Sequence, residues 1–511
     1  MKGRQRLALY PFLFALYPAL FLYARNMHLV SFSDCIKPAA ILLVVTFVLL
    51  VLGRAVLKNN VKSGILVSFA LLLFFGYGHV VDSIVAMNPP FRVGLLVFPL
   101  WGILMLLVVV LVVRTRRTLD SVAAFMRVVA VALVAMTAIQ TLTFRVRPGA
   151  DIERVWDRWV ARSVKGDNAL KLKSNTTPPD IYYIILDAYA GPEVLAEEFG
   201  IDITPFIDQL TRQGFYVASK SACNYYRTDL SLPSSLNLDY VDKLEEDSGV
   251  SPRSLPGQRA MFRRPKVVEL LRNAGYRIVM IPSDYAGLKL ADPDIVLRKS
   301  KFAATEFDLM LIESSVLRVL PWMGARSWRS GMLGNLDRLG KVPDIKGPTF
   351  TIAHLVVTHP PFCFESDGSM PDRVLSSLET LELSRQEYGR LYAACVTYLN
   401  SRLETIVRDI LAKSETPPII LLQADHGAVC PFKAARARIF NAYYLPDGGD
   451  QLLYPTITPV NTFRVVFNHY FGTDYQLLED RSYSHEKKNG EYTFRVMDPS
   501  RRISPIKPDA Q

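Results

Sequence analysis

Residues 181–189 read IYYIILDAY, which is six apolar residues followed by an acidic one. A short, continuous run of β-branched and aromatic residues is typical of a strand buried on both faces of a parallel sheet. Similar runs follow at Arg277–Ile281, Phe350–Val357 and Ile419–Gln423, and segments with helical patterning, such as Asp372–Leu411, separate them. This alternation predicts an α/β domain with a central, mostly parallel sheet and helices on both faces.

Polar side chains follow three of the predicted strands. Asp187 ends the first, His359 follows the third, and Asp425 with His426 follows the fourth, where the chain reads ADHG. The carboxyl ends of parallel strands meet at one edge of the sheet, where ligands usually bind. A single carboxylate there is more often a helix cap or a turn residue, but the Asp-His pair predicts a metal held by Asp187, Asp425 and His426. His354, earlier in the third strand, is predicted to point to the other face and to be structural.

A hydroxyl group near this edge is a candidate nucleophile. The segment 224–237 reads NYYRTDLSLPSSLN, and Thr228 opens its predicted helix. A hydroxyl there gains from the helix N-terminus and, beside a metal, from a lowered pKa. The alternative is that Thr228 is only an N-cap. Arg227, Lys433 and Arg436 are candidate ligands for phosphoryl oxygens, although such residues are more often solvated surface charges.

The first 149 residues differ from the rest of the chain in charge and hydropathy. The chain has 511 residues, a formal charge of +11 and a mean hydropathy of +0.17. Fifteen of its 59 Lys and Arg, but only three of its 48 acidic residues, lie before residue 150, so this part carries +12 and the remainder −1. A nucleic-acid-binding domain would carry the excess charge on its folded surface, whereas here it lies around apolar stretches. Nucleic acid is therefore excluded as a partner, and the lipid bilayer is favoured.

Five apolar stretches in this part are each about long enough to cross a bilayer. They cover approximately 7–24, 36–52, 64–81, 93–113 and 121–143. Nine basic residues lie on one side of the predicted spans and three on the other. The positive-inside rule places the nine in the cytoplasm, and an odd number of spans then exports the chain beyond residue 144. The predicted location is the cell (inner) membrane, with the α/β domain on the extracytoplasmic side.

The segment between the spans and the α/β domain is amphipathic. In Asp151–Lys165, Trp156 and Trp159 share a helical face with aliphatic residues, and arginines flank that face. This pattern is typical of an interfacial helix with its indoles at headgroup level; the alternative is a helix packed against the following domain. The predicted boundaries are 1–144 for the membrane helices, 145–179 for the interfacial helix and linker, and 180–511 for the catalytic domain.

These motifs, taken in order, resemble the alkaline phosphatase/sulfatase superfamily. The resemblance runs through residues 179–187, TPFIDQLTRQGF at 204–215, Thr228, His359 and ADHG at 424–427, and it covers most of residues 179–470. With five membrane helices in front, the chain is similar to two branches of that superfamily, the lipoteichoic acid synthases and the lipid A phosphoethanolamine transferases.

The resemblance implies an alkaline-phosphatase-like catalytic domain in which Thr228 is the nucleophile. It implies transfer of a phosphoryl-linked headgroup, phosphoglycerol or phosphoethanolamine in type, from a membrane phospholipid to a cell-envelope lipid or glycan. One divalent ion would be held by Asp187, Thr228, Asp425 and His426; oxygen ligands with one histidine suit manganese or zinc, with magnesium as a third candidate. His359 would contact the substrate or protonate the leaving group.

The chain departs from the superfamily pattern at three points. Asp187 stands where the transferases carry glutamate, which shortens the reach of this ligand. The sulfatase string C/S-x-P-x-R is missing, because SLPSS at 231–235 lacks its arginine. The additional ligands of two-metal phosphatases have no matching motif, although His354, His469, His485 and Asp284 are available, so one ion is predicted.

Two other functions are compatible with the same fold. With water as the acceptor, the chain would be a phosphodiesterase, a phosphatase or a sulfatase-like hydrolase. With an inactive site it would be a regulatory membrane protein, but the intact set of Asp187, Thr228, Asp425 and His426 counts against that function.

Two cysteines stand close to the predicted site in sequence. Cys363 and Cys430 each lie four residues after a site histidine. Since an exported domain is in an oxidising compartment, they are predicted to form a disulfide bond.

Overall fold

The chain is divided into two compact units. The structure is a computed structural model that describes residues 8–26, 32–85, 87, 93–145, 149–166, 170–172, 177–283, 288–297, 306–372, 374–375, 377–380, 382–430, 432, 436–488 and 491–502. The first unit comprises Met1–Gly149 and Ala304–Gly324, and the second comprises Ala150–Ala303 and Ala325–Gln511.

The first unit is built on five apolar helices. They are α1 (Tyr10–Asn26), α2 (Phe32–Leu57), α3 (Asn60–Val85), α4 (Val93–Arg114) and α5 (Asp120–Arg145). The helices α2 to α5 are long and apolar enough to cross a membrane, whereas α1 has only 17 residues. Large apolar side chains such as Leu100, Ile103 and Leu106 are more than half exposed on α4, as expected for a surface that faces lipid. The count of five spans stays a prediction.

A segment from much later in the chain completes this unit. It contains the helix α13 (Glu306–Glu313) and a 3₁₀ turn at Val316–Val319. Lys37 on α2 lies 3.4 Å from Asp308, and the amide of Gly78 on α3 donates to the carbonyl of Ser314 at 3.1 Å. A side chain at Gly78 would meet the backbone of this segment at 2.4 Å, so glycine is required for the contact. The predicted boundary at residue 180 places the segment in the exported domain, whereas in the structure it packs with the apolar helices.

The second unit contains a seven-stranded sheet in the order β2-β7-β6-β1-β5-β3-β4. The strands are β1 (Ile181–Leu186), β2 (Tyr216–Val217), β3 (Arg277–Ile281), β4 (Ile295–Val296), β5 (Thr349–Leu355), β6 (Ile419–Gln423) and β7 (Asn441–Tyr444). The pairs β6–β1, β1–β5, β5–β3 and β3–β4 are parallel, whereas β7 is antiparallel to both of its neighbours. The predicted fold class, a helical membrane segment followed by an α/β domain with a mostly parallel sheet, is confirmed.

Helices cover both faces of this sheet. The described helices that lie wholly or mainly in this unit are α6 (Gly149–Gly166), α7 (Pro192–Phe199), α8 (Thr204–Arg212), α9 (Thr228–Leu236), α10 (Val241–Ser248), α11 (Leu255–Arg263), α12 (Lys266–Asn273), α14 (Pro321–Leu339), α15 (Ser377–Thr380), α16 (Arg385–Lys413) and α17 (Pro459–Tyr470). Alternate residues of β1 enter two separate hydrophobic cores, since Tyr182 packs with α16 on one face and Tyr183 packs with α9 and α17 on the other. A hairpin of β8 (Ser482–Lys488) and β9 (Glu491–Met497) follows α17.

The helix α6 packs against the second unit through its tryptophans. Trp156 is fully buried in the core that contains Tyr183, and its indole nitrogen donates to the carbonyl of Arg264 at 2.9 Å. Glu153, one turn earlier, pairs with Arg263 at 3.1 Å. The prediction that both indoles lie at headgroup level is therefore wrong for Trp156, because this indole gains both apolar contacts and a hydrogen-bond acceptor inside the protein.

Replacing Trp156 by alanine is expected to destabilise the second unit strongly. Truncating a fully buried tryptophan typically costs about 3–5 kcal/mol, and the Arg264 carbonyl would also lose its donor. Calorimetry of the full chain in detergent measures the effect as a fall in the melting temperature. The matched control is Trp159→Ala, which removes a half-buried indole of the same helix and is expected to have a smaller effect. Equal melting temperatures for W156A and the wild type would show that Trp156 faces outward.

Candidate active site

Three buried side chains meet where β1 and β6 end. Asp187 follows β1 directly, and Asp425 and His426 follow β6, its neighbour in the sheet. Their candidate ligand atoms all lie within 4.8 Å of one another. Nε2 of His426 is 3.6 Å from Oδ1 of Asp187 and 3.6 Å from Oδ2 of Asp425. The parallel order of the strands thus brings the three predicted metal ligands together.

Backbone contacts fix the orientation of the two carboxylates. Oδ1 of Asp425 accepts from the amides of His426 at 2.9 Å and Ala188 at 3.3 Å. Ala188 has a positive φ of 61°, which is unfavourable for a non-glycine residue, and the Asp425 contact stabilises this turn. Oδ1 of Asp187 and Oδ2 of Asp425 are buried and have no hydrogen-bond partner among the residues that the structure describes, whereas Oδ2 of Asp187 lies 3.1 Å from Nε2 of His354. These two oxygens are therefore the atoms that a cation would satisfy.

Thr228 is the first residue of α9 and lies beside the carboxylates. Its side chain is buried, and its Oγ1 is 3.4 Å from Nε2 of His426. The N-cap of α9 is Arg227, so the capping alternative does not describe Thr228. The hydroxyl of Ser231, one turn further along α9, donates to the carbonyl of Asp425 at 2.7 Å and anchors the helix to the site.

Both site histidines have one ring nitrogen engaged by a backbone carbonyl. Nδ1 of His426 is 2.9 Å from the carbonyl of Gly427, and Nδ1 of His359 is 2.7 Å from that of Pro360. A proton on Nδ1 leaves the lone pair on Nε2, which for His426 points at Thr228 and the carboxylates and suits metal binding. The two imidazole rings are 6.5 Å apart, and His359 is half-buried. His359 is therefore more exposed than Asp187, Asp425 and His426, and it lies outside the group of converging ligand atoms.

His354 faces the site, so the prediction that it points away is wrong. Its Nε2 is 3.1 Å from Oδ2 of Asp187, and its Nδ1 is 2.7 Å from the hydroxyl of Ser283. The prediction compared His354 with His359, but β5 ends at Leu355 and the strand alternation does not extend further. The pairing of Ile185 with His354 is decisive, because it makes His354 a diagonal neighbour of Asp187 on the same face of the sheet.

The two buried carboxyl groups differ in their proton affinity. Burial alone would raise the pKa of the Asp187 carboxyl, but the charge of His359, the hydrogen bond and charge of His354 and the charge of His426 together outweigh burial and lower it. Burial and the neighbouring Asp187 raise the pKa of the Asp425 carboxyl above its ordinary value. Two carboxylates this close repel each other when both are charged, and a divalent cation between them removes that repulsion. The donor set of carboxylate oxygens, a hydroxyl and an imidazole fits such an ion.

The three predicted phosphate ligands have different environments. The guanidinium of Arg227 binds the carboxylate of Asp229 through two hydrogen bonds of 2.9 and 2.6 Å and the Tyr492 hydroxyl at 2.6 Å, so it is already occupied. Lys433 lies outside the residues that the structure describes.

Arg436 is the unusual member of the three. It is only 4% exposed, and its Nε is buried without a hydrogen-bond partner among the described residues. Burial lowers the pKa of this guanidinium. The neighbouring groups that act on it electrostatically are Cys430, Tyr388, Cys223 and Tyr226, and none of them is a carboxylate. A buried cation without a counter-charge is costly.

All five cysteines carry free thiols, so the predicted disulfide bond between Cys363 and Cys430 is wrong. The thiol of Cys363 donates to the carbonyl of Pro361 and that of Cys430 to the carbonyl of Phe432. Each thiol is therefore directed into its own loop. Burial raises the pKa of both groups, which makes them poor nucleophiles.

The chain is similar to several solved structures. No family model and no curated protein matches the chain. The C-terminal periplasmic domain of EcEptC from Escherichia coli in complex with Zn is 12% identical, with a TM-score of 0.40, and the match covers 64% of this chain and 94% of that one. The integral membrane protein lipooligosaccharide phosphoethanolamine transferase A (EptA) from Neisseria meningitidis is 11% identical, with a TM-score of 0.38, and the match covers 87% and 90%.

A third solved structure comes from the superfamily that the sequence motifs resemble. It is a protein in the alkaline phosphatase superfamily from Vibrio parahaemolyticus, which is 13% identical, with a TM-score of 0.37 and coverage of 68% of this chain and 84% of that one.

Proposed function

We propose that this protein is a membrane-anchored, metal-dependent transferase that uses Thr228 as its nucleophile. It moves a phosphoryl-linked headgroup, of the phosphoglycerol or phosphoethanolamine type, from a phospholipid to a lipid or glycan acceptor of the cell envelope. The observation that carries the proposal is the buried hydroxyl of Thr228 at the start of α9, whose Oγ1 lies 3.4 Å from Nε2 of His426. Oδ1 of Asp187 and Oδ2 of Asp425, which lack donors among the described residues, each lie 3.6 Å from Nε2 of His426.

The residues that would hold the ion are Asp187, Thr228, Asp425 and His426. Manganese and zinc suit this set best, and magnesium is the third candidate. When bound, the ion lowers the pKa of the Thr228 hydroxyl and offsets negative charge on a phosphoryl oxygen.

The side chains divide the chemical work between them. The oxygen of Thr228, deprotonated and favoured by the N-terminus of α9, forms a bond to phosphorus while the bond from phosphorus to the lipid alcohol breaks. His359, through Nε2, gives a proton to the departing alcohol oxygen. In the second half, the acceptor hydroxyl gives its proton to His359 and attacks phosphorus, and the Thr228 oxygen departs.

Arg436 is the proposed ligand for the phosphoryl oxygens that the ion leaves uncompensated. Its buried guanidinium has no counter-charge among the described residues, and a phosphoryl group would supply one. Lys433 stays a candidate for the same role. Arg227 acts indirectly: its contacts with Asp229 and Tyr492 fix the position of the segment that precedes Thr228.

The exported side of the inner membrane is the proposed location of the catalytic domain. The nine basic residues of the predicted cytoplasmic loops support this orientation. The helices α2 to α5 support the membrane anchor, because each is long and apolar enough to span a bilayer.

Mass spectrometry of the full chain, incubated with headgroup-labelled phospholipid, tests the nucleophile. The label is placed in phosphatidylethanolamine in one sample and in phosphatidylglycerol in another. A labelled phospho-headgroup adduct is expected on Thr228 in the wild type, and none in Thr228→Ala. The matched control is Thr211→Ala, an exposed threonine of α8, which should form the adduct normally.

Four outcomes would contradict parts of the proposal. An adduct on Ser231, or undiminished turnover in T228A, would overturn the assignment of the nucleophile. Release of the headgroup to water, with no dependence on a lipid or glycan acceptor, would make the protein a hydrolase. Absence of both adduct and turnover in a chain that binds the ion would favour a regulatory protein.

A further inference from the structure

His354 is a buried histidine that the proposed reaction does not use. It is 4% exposed, and it lies between the hydroxyl of Ser283 and the carboxylate of Asp187. Its Nε2 approaches Oδ2 of Asp187 at 3.1 Å, whereas Oδ1 of the same carboxylate faces His426. The two oxygens of Asp187 therefore have different neighbours.

The backbone makes this contact a fixed feature of the sheet. Six consecutive pairs join β1 and β5, with Ile185 opposite His354, and the amide of Asp187 donates to the carbonyl of Leu355 at 3.0 Å. On its other side, the carbonyl of Asp187 accepts from the Thr358 hydroxyl at 2.6 Å. The main chain of Asp187 is thus held at both ends, and only the rotation of its carboxylate is left to be set by side chains.

We infer that His354 is a positioning residue for the metal site. It holds Oδ2 of Asp187 and so turns Oδ1 toward Asp425 and His426, where the ligand atoms converge. Ser283 orients the imidazole by its contact with Nδ1, which places the Nε2 hydrogen toward the carboxylate. Asp187 has a short side chain with few rotamers, so a partner at one oxygen determines where the other oxygen points.

The inference rests on the proposed function in one respect, which is that a divalent ion binds at Asp187, Asp425 and His426. It adds to that function a determinant of metal affinity, and it predicts that His354 acts without touching the ion or the substrate. Residues that orient a metal ligand typically contribute about 10–100-fold to metal affinity.

The test compares His354→Gln with His354→Asn. The glutamine amide reaches about as far as Nε2 of histidine and can still donate to Asp187, whereas the asparagine amide reaches only as far as Nδ1 and keeps the Ser283 contact alone. Calorimetric titration of Zn²⁺ and of Mn²⁺ into the chelator-treated full chain in detergent measures the affinity, and Asp425→Asn defines binding at other sites. We expect H354N to weaken binding about 10–100-fold and H354Q to weaken it clearly less.

Melting temperatures in excess chelator show whether each variant is folded. We expect H354N and H354Q to have the same melting temperature under these conditions. Equal affinities for the wild type and H354N, both well above D425N, would overturn this inference alone. Equal affinities for the wild type and D425N would overturn the proposed metal site and this inference together. If H354N does not fold, Ser283→Ala replaces it with an expected several-fold loss, and an unchanged affinity in S283A would overturn the role of His354.

Discussion

Asparagine at position 425 is expected to abolish both metal binding and headgroup transfer. The amide keeps one oxygen to accept from the backbone amides of Ala188 and His426, so the turn survives. The substitution removes the negative charge at Oδ2, the oxygen that lies 3.6 Å from Nε2 of His426. A cation would then face one buried carboxylate instead of two. We expect turnover of labelled phospholipid to fall by roughly 10³-fold or more, since the electrostatic stabilisation of the reacting phosphoryl group is lost.

A stability measurement separates this effect from general damage. A ligand that binds only the folded state raises its melting temperature, so Zn²⁺ or Mn²⁺ should stabilise the wild type and leave D425N unchanged. Excess chelator should lower the melting temperature of the wild type to a value near that of D425N. The matched control is Asp202→Asn, an exposed aspartate that accepts from the amide of Thr204. Retention of metal-dependent stabilisation in D425N would contradict the assignment of Asp425 as a ligand.

The strands of the sheet were predictable because they are buried on both faces. The bounds predicted for β1, β3 and β6 agree with the structure, since each strand contains at least four consecutive apolar residues that are buried. Their order in the sheet brings Asp187, Asp425 and His426 together, as expected for side chains that follow the carboxyl ends of parallel strands. The short strands β2 and β4, of two residues each, carry too little pattern to be recognised.

The errors arose where a side chain is placed by tertiary contacts. The face of His354 depends on the pairing of β5 with β1, which alternation along one strand does not reveal. Trp156 lies in an amphipathic helix whose pattern suits a protein surface as well as a bilayer. The cysteines are close to the site in sequence, but each thiol is held in its own loop. Charge alone did not distinguish Arg227, which is paired, from Arg436, which is buried without a partner among the described residues.

Methionine at position 436 is expected to make the protein more stable and less active. A buried guanidinium without a counter-charge costs free energy, and replacing buried charges with apolar groups of similar volume often stabilises a protein by about 1–4 kcal/mol. If the guanidinium binds a phosphoryl oxygen, its loss removes a hydrogen bond between charged groups, worth about 1.5–3 kcal/mol. We therefore expect a higher melting temperature in the absence of substrate, together with a roughly 10–100-fold fall in kcat/KM for the phospholipid donor.

The opposite signs of the two effects distinguish a substrate ligand from a structural residue. If Arg436 supported the fold, R436M would lower the melting temperature, and any loss of activity would follow from that destabilisation. Arg436→Lys keeps the charge without the planar fork of donors and should lie between R436M and the wild type in kcat/KM. Arg408→Met, on the exposed face of α16, should change neither quantity. If R436M is more stable than the wild type but its kcat/KM is unchanged, the buried charge does not serve substrate binding. Arg436 would then be excluded from the proposed site.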